Sequence, residues 1–102
     1  MIISYNSGTL QEICFISATA ENRLGDAAAK SLQARHADLL AAKNVFDLPV
    51  GKIFFDGAQC TLALGDLLSI NMVPNYPAAG EGADYDWATV GRVKIMGING
   101  VE

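Results

Sequence analysis

What the chain has least of sets its first limits. Among 102 residues there are two cysteines, one histidine, one tryptophan and three prolines. Cys14 and Cys60 stand far apart and form no C-x-x-C pair, which disfavours both a disulfide framework and a thiolate metal site. They read as two buried free thiols. One His with two distant Cys makes no zinc set, and no metal or other cofactor is expected. Lys and Arg number 7 against 11 Asp and Glu, a formal net charge of −4. That balance argues against a bulk electrostatic grip on nucleic acid, which needs clustered cations. No apolar run approaches the roughly 18 residues of a spanning helix, and no basic segment precedes an apolar core at the N-terminus. A reducing cytoplasm is the expected location, with no membrane partner.

Hydrophobic residues make up 51% and charged residues 18%, enough apolar surface for one core and too much for a disordered tail. A single domain over residues 1–102 follows. Met1 to Tyr5 alternates weakly and reads as a short strand. Ser7 to Ser17 reads as a helix, with Ser7 able to cap, Thr9 and Glu12 at capping-box spacing, and Leu10, Ile13 and Cys14 on one face. Ala18 to Gly25 reads as the joint to a second helix. Asp26 to Lys43 is the clearest helix: Asp26 is a good N-cap, and seven alanines raise the propensity. Leu32, Leu39 and Ala42 form a stripe that continues to Phe46. Asn44 and Pro49 end it.

Beyond Pro49 the period changes. Lys52 to Phe55, Gln59 to Leu64, Leu67 to Val73 and Val90 to Ile98 read as strands, with turns at Asp56-Gly57 and Gly65-Asp66. Pro74 to Asp86 reads as an exposed acidic loop. Helices followed by strands imply an α+β fold, an N-terminal helical hairpin packed on an antiparallel β-meander.

Three segments carry a resemblance. Residues 7 to 51, SGTLQEICFISATAENRLGDAAAKSLQARHADLLAAKNVFDLPVG, look like paired helices with a Leu-Pro approach to a sheet. Residues 52 to 74, KIFFDGAQCTLALGDLLSINMVP, place their turns as central hairpins do. Residues 86 to 98, DWATVGRVKIMGI, look like a last strand. Together they resemble the RelE/HigB superfamily of toxin–antitoxin toxins, the plasmid-maintenance killer proteins most closely. The resemblance implies a RelE-like fold, a cognate antitoxin (often a helix-turn-helix DNA binder) and a ribosome-dependent mRNA interferase activity. The chain departs from the family where catalytic cations are expected. Residues 53 to 91 hold no Lys or Arg, the relevant strand reads Leu67-Leu68-Ser69-Ile70, and the tail reads Gly97-Ile98-Asn99-Gly100.

Cleavage of RNA would need a base for the 2′-hydroxyl, charge stabilisation at the phosphate and a proton for the leaving oxygen. Arg92 and Lys94 sit two apart on a strand and share a face, and His36 is the one side chain that titrates unperturbed near neutrality. These three are the catalytic candidates. Lys30, Arg35 and Lys52 are the candidate RNA contacts, and Tyr76, Tyr85 and Trp87, flanking acidic residues, are the candidate partner contacts. Each has a plainer reading: a solvated strand face for Arg92 and Lys94, a structural histidine on the edge of the apolar stripe, mixed charges on a solvated helix, a tryptophan anchoring the loop. A catalytically silent protein-binding module of the same fold is the alternative function.

Overall fold

The helices form where Ala, Leu and polar residues recur at helical spacing, and the central strands where buried apolar residues alternate with more exposed ones. The computed structural model describes residues 1–75 and 86–102. Its elements are β1 (Ile2–Tyr5), α1 (Gly8–Phe15), α2 (Ser17–Leu24), α3 (Asp26–Ala41), β2 (Lys52–Asp56), β3 (Gln59–Leu64), β4 (Leu68–Pro74) and β5 (Arg92–Ile98), with 3-10 turns at Val45–Asp47 and Trp87–Thr89.

The fold class is α+β, and the expected meander is present as β2 to β5. Two features differ from the expectation. The helices are three rather than a hairpin of two, and they lie between β1, the strand read at Met1 to Tyr5, and β2. The sheet has five strands in the order β1-β5-β4-β3-β2, and it is mixed: β1 runs parallel to β5, with Ile3 opposite Val93 and Tyr5 opposite Ile95. Parallel neighbours need a long crossover, which the helices and the rest of the meander supply.

The helical layer differs in detail for local reasons. Ser7 caps α1 by accepting from the Leu10 N–H at 3.2 Å, so the Thr9/Glu12 capping box is not the device used. Ile16 takes an extended conformation and breaks the helix there. The segment expected to be a joint becomes α2, because fully buried Ala20 lets it pack closely on the adjoining layer. Asp26 does not cap α3; it sits in the first turn behind the cap residue Gly25 and pairs with Lys30 at 3.3 Å. Helix α3 ends at Ala41, so the stripe does not reach Phe46; Val45 is buried in the following turn and Phe46 faces out. The Met1 amino group donates to the carbonyls of Leu39, Leu40 and Ala42, placing positive charge on the C-terminal end of α3.

The hairpins keep their expected places with shifted turns. Asp56 pairs with Gln59, so the β2–β3 loop is Gly57-Ala58, with Gly57 alone at positive φ (+59°). That is the pattern of a type II′ turn. After β5, Asn99 (φ 49°) and Gly100 (φ 80°) make a type I′ turn that brings Val101 back against Ile98.

Strand alternation sorts the sheet into two faces. Ile3, Tyr5, Val93, Ile95, Ile70, Met72, Cys60 and Leu62 face the helices. They close the core with Leu10, Ile13, Leu32 and Leu39. The opposite face carries Ile2, Ser4, Arg92, Lys94, Val73, Asn71, Thr61 and Phe54 and has no layer over it among the described residues.

Candidate functional site

His36 does not lie at the edge of the α3 stripe. Ala28, Ala29, Leu32, His36 and Leu39 are all buried, which places it within the stripe. It is 5% exposed and packs between two aromatic rings. The Tyr5 hydroxyl lies 2.6 Å from its Nε2, and the Phe15 ring meets it edge-on at 5.1 Å between centroids. Burial lowers the His36 pKa below its ordinary 6.5, favouring the neutral ring. Burial, with the Cys14 thiol nearby, raises the Tyr5 hydroxyl to about 12. The pair is therefore neutral on both sides at physiological pH.

Arg92 and Lys94 share the open face, as strand spacing requires. Their rows hold Ile2 and Ser4 of β1 and Val73 of β4, and beside them Asn75 donates to the Ser4 hydroxyl at 2.9 Å. The sheet itself stands between these two cations and His36, which lies on the helical side. Lys52 is on the open face too, but β2 is three strands from β5, about 14 Å away. It also sits in the row of Ala63 and Ser69, at the opposite end of the sheet from Arg92. Three cations do not converge.

The other candidate RNA contacts are engaged locally. Lys30 is exposed and pairs with Asp26. Arg35 is mostly covered, with its Nε 2.9 Å from Asp38 Oδ2. The two buried atoms touch as charges without an aligned hydrogen bond. Trp87 is 6% exposed and leans on Phe55 at 5.8 Å, so it anchors the Trp87–Thr89 turn to the core. Tyr76 and Tyr85 lie outside the described residues.

Two features escaped the sequence reading. The first is a cavity of about 190 Å³ on the open face, lined by Asn6, Gln59, Asn71, Met96, Gly97, Gly100 and Glu102. It forms where a bulge at Met96 breaks the β4–β5 register, since Asn71 faces Gly97 while Met72 faces Ile95. No local sequence signal marks that bulge. The second is the exposure of every phenylalanine in the chain: Phe15 61%, Phe46 60%, Phe54 56% and Phe55 45%. Phe54-Phe55 did carry a signal, because adjacent strand residues cannot both face one core.

Among the described residues no group of three or more His, Cys, Asp or Glu side chains is gathered to hold a metal ion. None of their helices is long and apolar enough to cross a membrane. Set against protein-family models, curated proteins and solved structures, the chain matches none of them.

Proposed function

We propose that this chain is a RelE/HigB-like toxin-family protein of the cytoplasm that works by binding a protein partner, the cognate antitoxin. The order of strand, helices and meander supports the family reading. The single observation that carries the binding role is Phe15, 61% exposed beside exposed Ile16 on the helical side of the chain. Phenylalanine normally fills cores, and apolar surface gathered on the outside of a small domain marks a place for another protein. Phe15 and Ile16 stand exposed together at the α1–α2 joint, and Leu40 lies one turn beyond His36 on α3. This helical side is the antitoxin surface in our reading.

The test is co-expression with the product of the adjacent reading frame, followed by co-purification. A stable complex that Phe15→Asp weakens supports the reading. No complex with soluble protein from both genes refutes it.

A second reading, an mRNA interferase, draws on one observation: Arg92 and Lys94 lie together on an open face with the hydroxyl of Ser4 and the amide of Asn75 close by. Growth arrest on induction, abolished by Arg92→Ala with Lys94→Ala, would favour it. Normal growth with soluble wild-type protein would leave the silent binding module.

A further inference from the structure

We infer that β2 is a self-association edge, through which two copies of this chain join antiparallel into one continuous sheet about a two-fold axis at Phe54. β2 is the last strand of the sheet, and no described residue pairs with its outer side. The devices that usually blunt an edge are missing: it has no proline, no bulge and no charge in its middle. Its sequence is Lys52-Ile53-Phe54-Phe55-Asp56, with opposite charges at its two ends.

The hydrogen-bond phase fits. The two-residue loop makes Asp56–Gln59 a bonded pair, so the backbone groups of Asp56, Phe54 and Lys52 turn toward β3. Those of Ile53 and Phe55 therefore turn outward. Antiparallel pairing of two copies can set Ile53 against Phe55 of the second copy, and the reverse, each pair exchanging both backbone bonds. Phe54 then meets its own symmetry mate.

Charge selects this register over its neighbours. With Phe54 on the axis, Lys52 of each copy lies opposite Asp56 of the other, on the open face and in the closer, non-bonded kind of pair. A slip of two residues in either direction loses both charge pairs. The contact is isologous and closes at two copies, as a two-fold dimer must. It also covers Phe54 and the exposed part of Phe55.

The experiment is sedimentation of the purified chain over a wide concentration range. A concentration-dependent dimer is expected. Lys52→Asp or Asp56→Lys alone, which sets like charges opposite each other twice, should weaken it about tenfold. The double variant Lys52→Asp/Asp56→Lys should restore it. Ile53→Pro, which removes an outward N–H and none from the β2–β3 ladder, should abolish it while the far-ultraviolet circular dichroism stays native. A monomer at every concentration overturns the proposal. So does a dimer indifferent to Ile53→Pro, and so does loss in the single charge variants without recovery in the double one. A monomer whose edge instead takes up a foreign strand peptide overturns it as well.

Discussion

Tyr5 and His36, from the first strand and the long helix, meet side chain to side chain at 2.6 Å beneath the ring of Phe15. The contact ties β1 to α3 and gives the one histidine a structural partner. The groups facing the imidazole, Tyr5 and Phe15, carry no charge at neutral pH, so nothing offsets its burial.

A pH dependence follows. The folded-state pKa of His36 lies below 6.5, so the unfolded chain takes up the proton first as pH falls. Stability present above about pH 6.5 is lost as the pH drops through that value toward the folded-state pKa. Thermal melts from about pH 7.5 to 5.5 should show a falling Tm, and His36→Gln should flatten the curve. A wild-type Tm that does not change over this window would contradict the assignment.

Tyr5→Phe tests the same contact at constant pH. It strands a buried ring nitrogen without its partner, a loss of about 1–3 kcal/mol. Denaturant unfolding at pH 7 should register it as a lower midpoint with an unchanged slope.

Both cysteines should resist thiol reagents. Cys14 and Cys60 are buried, and burial pushes each thiol up to about 12. A disulfide reagent at mildly alkaline pH should label neither in the folded chain and both in denaturant. Rapid labelling of either without unfolding would show that the site opens.

The centre of the sheet gives a larger effect. Ile95 is fully buried, between Tyr5 on one side and Met72 on the other. Ile95→Ala should cost about 2–5 kcal/mol by chemical denaturation.

Asn99 does two jobs at the end of β5. It adopts the left-handed conformation the turn requires, and its side chain accepts from the Ser69 N–H at 2.8 Å and donates to the Leu67 carbonyl at 3.1 Å. Asn99→Ala loses both, and a drop of about 1–3 kcal/mol is expected, read as a lower Tm. Asn99→Gly should recover the backbone share only.

The sequence was legible where the signal is local. Alanines and leucines at helical spacing mark α3, and Gly57 and Gly65 mark the hairpins of the meander. Legibility ended where structure depends on distant partners. Nothing in Ile2 to Tyr5 says that its neighbour is β5. The segment Ala18 to Gly25 is polar enough to read as a joint, and it becomes a helix because Ala20 packs in the core. Leu32 and Leu39 alone put His36 at the edge of the stripe; Ala28 and Ala29, also buried, bring it inside. The shared face of Arg92 and Lys94 was readable from spacing alone. Their separation from His36 and Lys52 was not, because it depends on which side of the sheet the helices cover and on strand order.

The parallel seam also orders events in time. Ile3 finds Val93 only after about 90 intervening residues have been made, so a ribosome must finish β5 before the first strand has anything to zip against. Until then a nascent chain can gather its helices and its first hairpin, while β1 waits unpaired. A stall before β5 is made would leave that early segment exposed to chaperones and proteases.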